Sequence, residues 1–199
     1  MTFVVVEGGE GVGKSTQVAR LAEALRASGR EVVVTFEPGD TQIGRELRTV
    51  LLHADTDLDP GAELLLLLAD RVQHVAEVIR PALERDAVVV CDRYTPSTLA
   101  YQGIARGLGV DAVEELSAWA EDGVQPDVVI VLDLPDEVAE ARVSRDRDRF
   151  ERAGGGFHGR VRDAYRRLAA ERGWALVDAS GTPEDVGGRV LAAVASHIS

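Results

Sequence analysis

The 199-residue chain holds one cysteine, Cys91, and one lysine, Lys14. A lone cysteine excludes an internal disulfide and any zinc site built from cysteines alone. It points to a reducing cytoplasm, with Cys91 as a small buried strand residue. No apolar run approaches the roughly 18 residues that a membrane-spanning helix requires. The N-terminal stretch Met1–Gly9 has no basic segment and only a short apolar one, so no secretory leader is expected. Positive charge is also scarce: 22 basic residues stand against 34 acidic ones, a net charge of −12. That balance argues against general adhesion to nucleic acid or to an anionic membrane. The scarce charge is unevenly placed, with ten arginines against five acids in residues 142–172. A basic island on an acidic chain suggests a site for a compact anion.

What is present is a regular alternation. With 45% apolar residues, the chain can bury one core and fits one domain, 1–199. Apolar strands are expected at Phe3–Val6, Glu31–Thr35, Ala87–Cys91, Val128–Leu132 and Ala175–Asp178. Helical patterns lie between them, at about 14–28, 44–53 and 61–85 (with a kink before Pro81), within 97–106 and 111–121, from about Pro135, around Tyr165, and from Pro183. Strands that are apolar on both faces belong in a parallel sheet covered by helices, so the fold class is α/β, doubly wound. Ligands of such sheets sit at the carboxyl ends of the strands. Chemistry is therefore expected just after Val6, Thr35, Cys91 and Leu132. Trp119 and Trp174 read as core residues. His53, His74, His158 and His197 have no metal-ligand spacing and read as structural or surface.

Gly8, Gly9, Glu10, Gly11, Val12, Gly13, Lys14 and Ser15 fit G-x-x-x-x-G-K-[ST], and Thr16 follows. The context strengthens the motif, because the strand Val4–Val6 precedes it and an amphipathic stretch with Val18, Leu21, Ala22 and Leu25 follows. Glycines let backbone N–H groups turn toward phosphate oxygens, and the helix N-terminus adds a favourable dipole. Lys14 would hold β- and γ-phosphates and Ser15 would ligate Mg²⁺. The plainer reading is a glycine-rich turn with a surface lysine, but a chain that otherwise uses arginine keeps its one lysine here. The loop alone indicates a nucleoside triphosphate rather than a kinase.

Asp92 and Arg93 directly follow the third strand. An aspartate there can orient Mg²⁺ or its water, and Arg93 beside it suits a bidentate phosphate clamp. An exposed Asp–Arg pair capping a strand is the bland alternative.

Together with these motifs, several stretches carry a family resemblance: Glu37-Pro-Gly39 with Thr41, Ile43–Arg48, Asp70–His74, Val78–Leu83, Asp92–Ser97, Leu99–Gly103 and Asp148–Glu151. Phe157, Val161 and Tyr165 extend it. From Phe3 to about Val190 the chain resembles the bacterial thymidylate kinases, which phosphorylate dTMP with ATP. The Asp92–Gly103 block is its most specific part.

The resemblance implies a three-layer P-loop nucleoside monophosphate kinase fold with a five-stranded parallel sheet, and a homodimer packed through helices. It implies that Arg48 and Arg93 grip the acceptor 5′-phosphate, with Glu37 and Pro38 on the same side. Arg71 and Gln102 would read the thymine edge, with Ser97 and Thr98 beside them. Tyr101 would pack on the deoxyribose and clash with a 2′-hydroxyl. Glu10 takes the place of an acidic loop residue near the sugar and metal. The lid matches about 142–156, and because Glu10, Gly11 and Val12 are not basic, Arg145, Arg147 and Arg149 fit the lid-supplied pattern. Arg145 and Arg149 are the catalytic candidates alongside Lys14, Glu10 and Arg93. Gly154–Gly156 reads as a joint beside the lid, or as a loop tip.

Two departures stand out. Phe36 replaces an arginine and Asp40 a glycine in the segment after the second strand. Leu67 replaces a phenylalanine that stacks on thymine, which predicts weaker or broader base recognition. Three readings follow: a dTMP kinase, a kinase for another or a broader set of pyrimidine monophosphates, and a P-loop switch with no second phosphate site.

Overall fold

The computed structural model describes residues 2–53, 57–142 and 155–197. Among these, five strands form one parallel sheet: β1 (Thr2–Gly8), β2 (Val32–Phe36), β3 (Val88–Asp92), β4 (Val128–Asp133) and β5 (Ala175–Asp178), in the order β2-β3-β1-β4-β5. The helices are α1 (Lys14–Ala27), α2 (Gln42–His53), α3 (Pro60–His74), α4 (Arg80–Glu84), α5 (Thr95–Thr98), α6 (Val110–Glu121), α7 (Asp136–Arg142), α8 (Gly155–Arg172) and α9 (Pro183–Val194).

β1 is central, with Val4 opposite Val90 on one side and Val128 on the other. All of β1 is buried, which explains its run of valines in place of an alternating pattern. Successive side chains face opposite layers. Val4 and Val6 pack with Val18, Leu21 and Leu25 of α1 and Val186, Val190 and Val194 of α9. Phe3 and Val5 pack on the other face with Val75, Ile79 and Tyr94. On that same face, Val129 and Val131 meet Leu64 and Leu68 of α3 and Val161, Tyr165 and Leu168 of α8.

The expected helix over 61–85 is interrupted. α3 runs into a π-helical turn, Val75–Ile79, in which the Arg80 N–H reaches back to the Val75 carbonyl. Pro81 has no N–H to continue the α-helical ladder, and the wider turn absorbs the missing bond. A second π-helical turn, Leu99–Ala105, follows α5 and buries both Tyr101 and Gln102. Trp119 corrects the sequence reading: it is 75% exposed, because the buried stripe of α6 runs through Val113, Ser117 and Ala120 and leaves position 119 on the outer flank. Trp174 packs partly buried against the α3–α8 cluster.

Candidate active site

The carboxyl ends of β1, β2 and β3 converge on one crevice. Gly8 leaves β1 with φ +136°, and a Cβ there would lie 2.4 Å from the Leu132 carbonyl oxygen, so only glycine lets the loop start beside β4. Gly13 caps α1 with φ +91° and, as glycine, brings no side chain to cap the helix end. The first N–H groups of α1 thus have no intrahelical acceptor and point toward the loop. Lys14 Nζ donates to the carbonyls of Gly8 (3.2 Å) and Gly9 (2.8 Å). Burial, with Arg93 adding repulsion, pulls its pKa down to about 8, against the opposing pull of Asp92, Glu7 and Glu10. Val12 points into the core, Gly11 passes the Ala139 carbonyl, Gly9 runs beside Arg162, and Thr16 is exposed in the first turn of α1. The Ser15 hydroxyl donates to Asp92 Oδ2 at 3.1 Å. Asp92 Oδ1 is buried with no hydrogen-bond partner among the described residues.

Arg93 has φ +73°, outside the ordinary range for its residue type. Its N–H bonds to the Val6 carbonyl at 3.1 Å, which turns the side chain into the crevice. There NH1 donates to Ser97 Oγ (3.1 Å), Tyr165 OH (3.3 Å) and the Gly8 carbonyl (3.4 Å), and the guanidinium stacks 5.2 Å from the Tyr101 ring centroid. Beneath it lies Glu7, fully buried. Glu7 accepts from the N–H groups of Tyr94 and Ser97, from Ser97 Oγ at 2.6 Å and from Tyr165 OH at 2.8 Å. Burial raises its pKa, although Arg93 and these donors oppose the shift.

Arg71 is 2% exposed. Its Nε (3.0 Å) and NH2 (2.8 Å) both donate to Glu37 Oε2, and NH2 also donates to Thr98 Oγ1 at 3.0 Å. NH1 is buried with no hydrogen-bond partner among the described residues. The guanidinium lies 4.7 Å from the Tyr94 ring centroid. Burial opposes ionisation of Glu37, yet Arg71 and His74 hold its carboxyl below the usual range. Arg48 NH1 donates to the Pro38 carbonyl at 2.6 Å and its guanidinium sits over Phe36. Gln102 Nε2 donates to buried Glu63 at 2.7 Å, and Arg106 holds the other oxygen of that carboxylate.

Two adjoining cavities result. One brings together Glu37, Pro38, Arg48, Leu67, Arg71, Arg93, Ser97, Thr98, Tyr101 and Gln102, with Glu10 among its lining residues. The other is lined by Lys14, Ser15 and Asp92 and shares Glu10, Glu37, Arg48 and Arg93 with the first. Arg145, Arg147, Arg149 and Gly154 lie outside the described residues; Gly155 and Gly156 open α8.

The basic island is corrected in part. Arg162 pairs with Asp136 and Arg166 with Asp133, while Arg172 pairs with Glu114. Acids from other elements neutralise these arginines, which a count along the chain could not show. Sequence reasoning also missed Leu52, Tyr94 and the support given by Glu7, Tyr165 and Glu63. For Glu7 there was a signal, a single acid ending an otherwise apolar strand.

Fold and crevice define a P-loop phosphotransferase, with one anion cradle at a helix N-terminus and a second, arginine-lined one sharing Arg93. The chain belongs to the thymidylate kinase family, whose model, described as Thymidylate kinase, matches residues 6–190. It is 50% identical to the thymidylate kinase of Leifsonia xyli subsp. xyli over 192 residues, covering 94% of this chain and 91% of the relative. It is 48% identical to that of Synechococcus sp. (strain JA-2-3B'a(2-13)), with 96% and 93% covered, and 48% identical to that of Clavibacter sepedonicus, with 92% and 89% covered.

Proposed function

We propose that this chain transfers the γ-phosphoryl group of ATP to the 5′-phosphate of dTMP, releasing ADP and dTDP. The observation that carries the reading is Arg93, which lines both cavities at once. The acceptor is already a phosphate, so no strong base is needed, and the difficulty is to bring two anions together. Lys14 and the free N–H groups of α1 take the β- and γ-phosphates. Arg93 and Arg48 take the acceptor phosphate, and Arg71 NH1, a donor with no partner among the described residues, faces the base. Glu63 fixes which way the Gln102 amide points, because a carboxylate only accepts. Tyr101, wedged against Phe157 and Tyr165, closes the space a 2′-hydroxyl would need. Arg145 and Arg149 are assigned to the transferred phosphate, since Glu10, Gly11 and Val12 bring no cation to the loop.

Mg²⁺ fits the residues present: Asp92 Oδ1, which has no hydrogen-bond partner among the described residues, and the Ser15 hydroxyl lie together beside the loop and would hold it. When bound it supplies positive charge against the phosphate oxygens. The enzyme is assigned to the cytoplasm, on its nucleotide substrates and the buried free thiol of Cys91. A homodimer is supported by the apolar side chains that α3 and α6 leave outside, Leu65, Leu116 and Trp119.

ADP formation with ATP and a panel of nucleoside monophosphates tests the reading. Fastest turnover with dTMP is expected. Fastest turnover with CMP or dUMP would overturn it in favour of a broader pyrimidine enzyme, the outcome Leu67 would then explain. No turnover with any acceptor would leave a nucleotide switch.

A further inference from the structure

Beneath the acceptor cavity lies a chain of side chains whose hydrogen atoms can be counted. Glu37 is a carboxylate held below its usual pKa range, and its Oε1 lies 2.9 Å from His74 Nδ1. A carboxylate only accepts, so Nδ1 carries a hydrogen. His74 Nε2 lies 2.5 Å from Thr35 Oγ1, and the same hydroxyl lies 2.5 Å from Asp40 Oδ2. Thr35 has one hydroxyl hydrogen. A neutral His74 would need it at Nε2, and a charged Asp40 needs it at Oδ2. With Asp40 as a carboxylate, only one arrangement makes every contact a hydrogen bond: Nδ1–H donates to Glu37, Nε2–H donates to Thr35, and Thr35 donates to Asp40. That arrangement requires a doubly protonated imidazole.

We propose that Asp40, acting through the Thr35 hydroxyl, keeps two protons on His74, and that His74 in this form is a positioning residue for the acceptor nucleotide. The inference rests on the acceptor reading above. His74 is fully buried. Glu37 and Asp40 face it from the loop after β2, and Asp70 and Arg71 from α3. Cys91 of β3, the register partner of Thr35, and Tyr94 beyond it are the next titratable groups through Glu37 and Arg71. The relay ties down the loop after β2 at both ends, through Glu37 and Asp40. That loop carries the carboxylate that holds Arg71 and the Pro38 carbonyl that holds Arg48. Loss of the Nε2 proton turns the Thr35 hydrogen toward the ring and leaves Asp40 without its donor, which frees the loop.

The test compares the wild type with Asp40→Asn. The asparagine amide can either donate to Thr35 or accept from it, so it completes the chain around a neutral or a charged ring. Long-range ¹H–¹⁵N correlation of the ring nitrogens, assigned with His74→Gln, reads the protons directly in the free enzyme. At neutral pH the wild type is expected to carry hydrogens on both nitrogens of His74, and Asp40→Asn on Nδ1 alone. The KM for dTMP of the wild type should rise about tenfold toward alkaline pH, the scale of one lost charge-assisted hydrogen bond. That of Asp40→Asn should lack this rise, with KM for ATP and kcat following the same pH course in both proteins. Titration of Asp70 and of the dTMP phosphate is common to both and cancels in the ratio. A singly protonated His74 in the wild type, or the same KM profile in both proteins, would overturn the proposal. The ring-nitrogen reading needs no substrate, so its failure is separable from failure of the acceptor assignment.

Discussion

Arg71 illustrates how a single side chain can be committed and available at once. Its Nε and NH2 are spent on Glu37 and Thr98, while NH1 is buried with no hydrogen-bond partner among the described residues, beside the cavity that Arg71 lines with Arg93. A buried guanidinium nitrogen without a partner is costly, so its persistence marks a place where a ligand atom belongs. Replacing Arg71 with lysine keeps the charge against Glu37 but loses the planar fork. Arg71→Lys should therefore fold while kcat/KM for dTMP falls by roughly 10- to 100-fold, the scale of a lost charge-assisted contact, and ATP affinity holds within about twofold. Equal losses of both affinities would contradict the proposal that it reads the base. At this scale the sequence was legible where motif and position coincide, at Lys14, Ser15, Asp92 and Arg93. It was silent where partners lie far apart along the chain. Nothing local to Tyr165 shows that its hydroxyl reaches Glu7, 158 residues away, and nothing local to His74 shows that it is buried against Glu37 and Thr35.

Between elements, the telling contact is the seat of α2 on α3. Gly44 lies so close to Asp70 that a Cβ would stand 2.4 Å from Oδ1. Asp70 accepts from the Gly39 N–H at 3.0 Å, and its Oδ2 is buried without a hydrogen-bond partner among the described residues. Burial, with Glu37 adding repulsion, lifts its pKa to about 6. Between the unfolded value near 4 and this value the folded state holds more protons, so stability falls as pH rises through that window. Asp70→Asn keeps the acceptor for Gly39 and removes the charge. Its stability should fall less than that of the wild type between pH 4 and 6, by about 2 kcal/mol, seen as a smaller drop in melting temperature. Parallel melting curves would contradict the assignment. Element existence was readable from apolar period, and each of the five strands falls within two residues of its expected limits. The two π-helical turns were not readable, because they answer tertiary demands: Pro81 without a donor in one, and the burial of Tyr101 and Gln102 in the other.

For the whole molecule, the parallel sheet fixes the direction from which chemistry approaches. The sites predicted after β1, β2 and β3 do meet at one end of the sheet, and the ten residues that the sequence reading assigns to the acceptor line one cavity. What the chain order could not convey was charge balance. The arginines that look like an anion site along residues 142–172 include Arg162, Arg166 and Arg172, which close ion pairs between α8 and its neighbours. The cations left facing the crevice are few, and Arg93 stands between its two halves. The most direct measurement uses one molecule that fills both, adenosine and thymidine joined through five phosphates, titrated calorimetrically into the enzyme. The account predicts one molecule bound per chain, competitive with both ATP and dTMP, and held at least about 100-fold more tightly than either alone, as linking two sites allows. Competition with ATP only, at an affinity no better than that of ATP, would contradict it.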